Sequence, residues 1–241
     1  AIGVNGGKGD NRVREVRLLD AKTLKLKHKI DETLVPRIHG VRALAFSPDG
    51  KRLAVAGSFL TEDTRESAPF LKLWDGEKQK LIERKPDLGA VPPGIATDEI
   101  NALNMVGSND LGFSPDGKLL ATGWSDGNIR LYDGRTGEFR FLLDPKLGPA
   151  EAGCGPIAFS PDSKTLASRG RDNTLVLWDL AKGKPRRTLK LHTDQVFAVV
   201  FSRDGKWIAT GAQAAKDYEV ILWDAKTGEM KQTFLTLTEP V

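Results

Sequence analysis

Residues 192–224 read HTDQVFAVVFSRDGKWIATGAQAAKDYEVILWD, and much of the chain repeats this pattern. A mostly apolar run, Val196–Phe201, leads into the polar turn Ser202-Arg203-Asp204-Gly205. A second apolar run follows at 207–212, and a third, at 220–223, ends on Asp224. Short apolar runs separated by turn residues are typical of β-strands joined by tight connections. The stretch therefore predicts three consecutive short strands.

The same pattern recurs upstream of this stretch. The turn returns as Ser47-Pro48-Asp49-Gly50, Ser114-Pro115-Asp116-Gly117 and Ser160-Pro161-Asp162-Ser163. The strand ending returns as Leu73-Trp74-Asp75, Leu131-Tyr132-Asp133, Leu177-Trp178-Asp179 and, in weaker form, Leu18-Leu19-Asp20. Successive endings stand about 45 to 58 residues apart, and repeats of about 40–45 residues with four strands each are typical of propeller blades.

With these turns and Trp-Asp endings, the chain resembles the WD-repeat β-propeller family over nearly its whole length. The resemblance implies an all-β fold, a β-propeller of four-stranded antiparallel blades. We expect a partial blade at 1–30 and complete blades at 36–87, 97–145, 152–190 and 192–238. Since the family most often has seven blades, we also expect the chain to be an incomplete part of a larger ring that exposes two apolar blade faces. The polar stretch at 107–110 predicts a bulge or a break in a first strand.

Composition narrows the classes of protein that need to be considered. The formal net charge of +4 is only mildly basic. The single cysteine, Cys154, rules out an internal disulfide and suits a reducing compartment. A cytoplasmic location is therefore favoured, although the sequence does not fix it. No uninterrupted apolar run approaches the roughly 18 residues of a membrane span, so no membrane partner is expected.

The resemblance implies a buried hydrogen-bonded set in each blade. In the last complete blade, the matching residues are His192, Thr210, Asp217 and Trp223. An indole N–H only donates, a hydroxyl both donates and accepts, and a buried carboxylate needs donors, so these residue types can satisfy one another. Earlier blades keep only part of the set, because they lack the His or carry the replacements Tyr132, Val55 and Ala68.

The resemblance also places the partner-binding surface. Family members bind partners across the face that carries the loops between blades and the turns before the third strands. The candidate contact residues on that face are Trp124, Ser125, Arg169, Arg171, Asp194, Gln195 and Lys216. Trp124 stands where the family usually has a small residue. It either forms part of an interface or fills a gap left by the irregular stretch at 107–110.

No set of residues predicts catalytic chemistry, a metal or a cofactor. The three histidines, His28, His39 and His192, lack metal-ligand spacing. The repeated aspartates are turn formers, namely Asp49, Asp116, Asp162 and Asp204. The first strands offer apolar side chains where a propeller enzyme would need inward-pointing His, Asp or Glu. The sequence therefore predicts a protein that is not an enzyme.

The predicted function is a non-enzymatic interaction scaffold that presents loops on one propeller face to a protein or peptide partner. Two alternatives stay open. Basic residues crowd the predicted fourth strands, which could form a rim that binds nucleic acid or another acidic partner. Less favoured is a propeller-type enzyme with a site at the mouth of the central channel.

Overall fold

The computed structural model of the chain describes ten segments. They comprise residues 2–6, 13–30, 38–60, 67–82, 108–124, 128–143, 155–170, 173–190, 196–213 and 218–236. All regular secondary structure in these segments is β-strand, which confirms the predicted all-β class.

The N-terminal sheet has three described strands in the order β1-β2-β3, each antiparallel to its neighbour. Its strands are β1 (Ile2–Gly6), β2 (Val13–Leu19) and β3 (Leu26–Ile30). This sheet confirms the predicted partial blade, which was expected to contain the end of a second strand followed by a third and a fourth.

Four four-stranded antiparallel sheets follow, each with its strands in sequence order. We call them blades 1 to 4. Blade 1 contains β4 (Ile38–Phe46), β5 (Arg52–Leu60), β6 (Ser67–Asp75) and β7 (Lys80–Leu81). Blade 2 contains β8 (Ser108–Phe113), β9 (Leu119–Trp124), β10 (Ile129–Asp133) and β11 (Phe139–Leu143).

Blades 3 and 4 repeat this arrangement. Blade 3 contains β12 (Ile157–Phe159), β13 (Thr165–Arg169), β14 (Thr174–Asp179) and β15 (Lys184–Lys190). Blade 4 contains β16 (Val196–Phe201), β17 (Trp207–Gln213), β18 (Tyr218–Asp224) and β19 (Met230–Thr236). The four complete blades and one partial blade are therefore confirmed. The exact blade boundaries and the larger seven-bladed ring stay predictions.

The meander topology divides each blade into two ends. Turns between the first and second strands and between the third and fourth strands lie at one end, which we call the turn face. Second strands end and third strands begin at the other end, where first strands also begin and fourth strands end, and we call this end the loop face. The first strands of successive blades contact one another, because β4 touches β8, β8 touches β12 and β12 touches β16.

The first turns are held by the repeated Ser and Asp side chains. The Ser47 hydroxyl donates to the Asp49 carboxylate at 2.5 Å and accepts from the Arg52 N–H at 2.9 Å. The same pair of bonds recurs from Ser114, Ser160 and Ser202. Gly50 closes its turn at φ +69°, a region that L side chains disfavour. The prediction that these aspartates form turns is confirmed.

The apolar core lies between the blades, in four clusters that each join two neighbouring sheets. The cluster between blades 3 and 4 is an example, in which Leu175 and Leu177 of β14 pack with Ile208, Ile221 and Trp223 of blade 4. Because neighbours cover both faces of an inner blade, its strands are buried almost continuously, as β14 is from Thr174 to Trp178.

Blades 2, 3 and 4 each also pack against the preceding blade through a glycine in their third turn. Gly137 has φ +72°, and a Cβ built there would lie 3.7 Å from Leu73 of blade 1. Gly183 of blade 3 stands in the same way over Phe141 of blade 2, and Gly228 of blade 4 over Leu189 of blade 3. The positive φ favours glycine at all three positions, and at Gly228, where an added Cβ would lie 2.8 Å from Leu189, the close approach favours it as well.

Two local features of the sheets bear on the sequence predictions, namely a register shift in blade 2 and an exposed apolar surface on blade 4. The register of β8 against β9 shifts between Ser108 and Asp110, which confirms the predicted bulge. The far face of blade 4 exposes Val200, Val220 and Phe234, which lie on two adjacent cross-strand rows. Part of this face of blade 4 is therefore apolar and exposed, whereas the expected pair of exposed faces in a larger ring stays a prediction.

Candidate functional site

Two of the predicted contact residues lie at the loop face. Trp124 is the last residue of β9, and Arg169 is the last residue of β13, so both stand where second strands end at this face. The other predicted contacts lie outside the described residues, namely Ser125, Arg171, Asp194, Gln195 and Lys216. Their roles in binding stay predictions.

Arg169 is placed differently from an exposed contact residue, because only 7% of its surface is accessible. Its backbone N–H donates to the Pro156 carbonyl at 3.3 Å. Its side chain lies beside Gly155, where an added Cβ would stand 2.7 Å from Arg169 Cδ. A side chain that is buried at this position can support the loop face structurally but presents little surface to a partner.

A buried hydrogen bond joins the second and third strands of blade 4. The Trp223 indole N–H donates to the Thr210 hydroxyl at 2.8 Å, and both residues are almost inaccessible to solvent. Since Thr210 pairs with Ile221 in the sheet, the indole reaches it diagonally from two positions along β18. His192 and Asp217, the other members of the predicted set, lie outside the described residues and stay predictions.

The other blades vary this arrangement. Blade 3 has the same bond, because Trp178 Nε1 donates to the Ser168 hydroxyl at 2.8 Å. In blade 2, Tyr132 takes the Trp position and packs edge-on against Phe139 with ring centroids 5.9 Å apart. In blade 1, Val55 supplies no hydroxyl. The bond from indole to hydroxyl therefore occurs in blades 3 and 4, whose sequences pair a Trp with a Ser or a Thr.

Aspartates at the ends of the third strands organise the turn face. Asp133 Oδ1 accepts the backbone N–H groups of Arg135 and Thr136 at 3.0 and 2.8 Å. Burial acts to raise the pKa of Asp133, but its hydrogen bonds from Arg140 and Thr136 outweigh burial and hold that pKa well below its usual range. The corresponding aspartates of the other sheets accept the same two backbone N–H groups, namely Asp20, Asp75, Asp179 and Asp224.

Acidification is expected to destabilise the fold by protonating these turn aspartates. Hydrogen bonds from Ser47 and Ser202 lower the pKa of Asp49 and of Asp204, and a backbone hydrogen bond from Thr227 lowers that of Asp224. Their stabilisation is complete above the unfolded-state pKa of about 3.9 and is lost as the pH falls through the lower folded values. Thermal unfolding monitored by circular dichroism should give a melting temperature that falls below about pH 4. A constant melting temperature down to about pH 2 would contradict this expectation.

An inter-blade hydrogen bond that sequence reasoning missed involves Asp110 of β8. Asp110 Oδ2 accepts the N–H of Ile157, the first residue of β12, at 2.8 Å. Oδ1 accepts the N–H of Leu111 at 2.8 Å. Burial raises the pKa of Asp110, and the two backbone donors oppose that effect. The signal for it in the sequence was the polar stretch at 107–110, and Asp110 stands at the bulge that forms there.

Within the described residues, no group of three or more His, Cys, Asp or Glu side chains could hold a metal ion. No helix in the same segments is long and apolar enough to cross a membrane.

The repeated blades define the class of protein as a β-propeller type built from sequence repeats. The family described as WD domain, G-beta repeat matches residues 33–63, 99–133, 157–179 and 183–224, which together make up more than half of the chain. The chain belongs to this WD-repeat family. No curated protein matches the chain.

Proposed function

We propose that the chain is a non-enzymatic interaction scaffold whose loop face binds a protein or peptide partner. WD repeats generally mediate protein interactions, and the chain carries four matches to them. The observation that carries the proposal is the meander topology of the blades, in which the strand ends that flank each connection between blades and each second turn lie at the same face. Packed blades make a rigid support for such loops, and contact residues occur preferentially on loops held by a rigid framework.

A structural role for the repeated carboxylates supports the non-enzymatic part of the proposal. Asp49 and Asp133, for example, accept hydrogen bonds within their own turns and also pair with Arg52 and Arg140. Carboxylates that are engaged in this way hold the turns in shape. They are poorly suited to exchange protons with a substrate near neutral pH, because their pKa values are lowered.

Loop-face variants test this proposal. Affinity capture followed by quantitative mass spectrometry would first identify a partner of the wild-type chain. Trp124→Ala and Arg171→Ala are then expected to weaken purified partner binding by about tenfold or more, since aromatic and Arg residues dominate interface energetics. Lys25→Ala and Lys27→Ala, on the outer strand and its turn in the N-terminal sheet, are the controls and should leave the affinity unchanged.

Two outcomes would contradict the loop-face assignment. The first is full binding by both loop-face variants. The second is a large fall in melting temperature for Trp124→Ala, which would show that this side chain fills a gap in the fold.

The second candidate function is binding of nucleic acid or another acidic partner by the outer rim. It is favoured by β15, where the exposed side chains include Lys184, Arg186, Arg187 and Lys190. Arg187 is partly engaged, because its guanidinium donates to the Thr227 carbonyl of blade 4. Charged outer strands also prevent edge-to-edge pairing, so this rim has a structural use in any case. Binding that is lost in Lys25→Ala and Lys27→Ala and that falls steeply with salt would favour this candidate.

A further inference from the structure

A groove of about 800 Å³ lies on the turn face between blades 1 and 2. One wall is the first turn of blade 1, with Pro48 and Arg52, and the opposite wall is the first turn of blade 2, with Lys118 and Leu119. The third turn of blade 2 and the start of β11 complete it with Arg135, Arg140 and Phe141. The groove is therefore built by three segments that are distant in the sequence.

Three of the four cations that line the groove are paired with its aspartates. Arg140 Nη2 lies 2.5 Å from Asp133 Oδ2, and Arg52 Nη1 lies 3.4 Å from Asp49 Oδ2. Lys118 Nζ lies 3.6 Å from Asp116 Oδ2. These contacts compensate all three carboxylates of the lining.

Arg135 supplies the remaining positive charge. It is exposed, and its guanidinium makes no ion pair or hydrogen bond within the described part of the chain. Only its backbone N–H is engaged, by Asp133. A guanidinium of this kind offers a rigid fork of N–H donors that matches the two oxygens of a carboxylate.

The repeat shows that the blade fold does not require this chemistry. The position of Arg135, two residues after the aspartate that ends the third strand, is occupied by Ala181 in blade 3 and Lys226 in blade 4. The β11 position of Phe141, which pairs with Leu131, is occupied by Arg187 and Gln232 in those blades. Blades 3 and 4 therefore lack the combination of arginine and phenylalanine that lines this groove.

Apolar groups adjoin the charged ones in the groove. Phe141 and Leu119 are half-buried, because each packs partly against the cluster between blades 2 and 3. The surface that they leave exposed, with Pro48, gives the groove an apolar part to its lining besides the charged groups. An extended peptide in which acidic and apolar side chains alternate would meet both kinds of surface.

We propose that this groove is a second interaction surface, which binds an acidic, partly apolar segment of a protein partner through a carboxylate that pairs with Arg135. The surface goes beyond the loop-face function, because it lies at the opposite end of the blades. A propeller with both surfaces could hold two partners at once.

A synthetic peptide tests the proposal directly. The probe is a fluorescein-labelled octapeptide of alternating glutamate and leucine with blocked ends, and binding is measured by fluorescence polarisation. Arg135→Glu should weaken binding by about tenfold or more, since it removes the pair and adds a like charge. The matched control is Lys226→Glu, which makes the same change of net charge at the equivalent position of blade 4 and should alter the affinity by less than about twofold.

Several results separate this proposal from its competitors. The same peptide with lysine for glutamate should bind Arg135→Glu better than it binds the wild type. Trp124→Ala should leave peptide binding intact, so that a failure of the loop-face function would not affect the result. The proposal is overturned by absence of binding to the wild type, by equal losses in Arg135→Glu and Lys226→Glu, or by Arg135-dependent binding of a single-stranded oligonucleotide that is tighter than binding of the peptide.

Discussion

Leu177→Ala is expected to lower the free energy of unfolding by about 2–5 kcal/mol, as truncations of fully buried leucines generally do. Leu177 is 1% exposed and belongs to the cluster that joins blades 3 and 4. Its removal costs the transfer free energy of the lost methyl groups and leaves a cavity that the sheets on both sides cannot fill. Because each blade contacts only its neighbours, the damage should be concentrated at this joint.

Chemical denaturation monitored by circular dichroism would measure this loss. The matched control is Leu26→Ala in β3, because Leu26 is 56% exposed and should tolerate truncation within about 0.5 kcal/mol. If both variants lost less than about 1 kcal/mol, the buried joint between blades 3 and 4 would not carry the stability that its packing implies.

Trp223→Phe is expected to destabilise the fold by about 1–3 kcal/mol. Phenylalanine keeps much of the ring but removes the N–H that donates to Thr210 at 2.8 Å. Because Thr210 is buried, its hydroxyl then loses a partner that water cannot replace. Trp178→Phe in blade 3 should cost a similar amount, since its bond to Ser168 has the same length.

A third tryptophan provides the control for ring size. Trp207 lies in the same strand as Thr210 but is 38% exposed, so Trp207→Phe should change stability by less than about 0.5 kcal/mol. Combining Trp223→Phe with Thr210→Val should recover part of the loss, because neither partner is then left unsatisfied. Additive losses in the double variant would show that the bond contributes little.

Much of the fold could be predicted from the sequence because its decisive signals are local. The Ser-x-Asp turns are set by hydrogen bonds among residues at most five apart, such as those from Ser160 to Asp162 and Thr165. The aspartate that ends each third strand likewise binds the N–H groups two and three residues later. Because these contacts join residues that are close together in the sequence, a repeated motif predicts a repeated hairpin.

The surfaces were harder to predict, because they depend on how separate blades meet. Asp110 reaches the N–H of Ile157 across a joint, and the groove around Arg135 is formed by turns of two blades. The burial of Arg169 likewise depends on Gly155 leaving room beside it. A linear motif assigns residues to a strand or a turn, but it does not contain the distance between one blade and the next.

The interlocking glycines also have a consequence for how the protein is made. Gly137, Gly183 and Gly228 each rest on a side chain of the blade that precedes them in the chain. A ribosome releases the chain from its N-terminus, so the supporting surface is complete before the glycine turn that fits it emerges. Synthesis therefore supplies the surface of each blade before the glycine turn that packs on it.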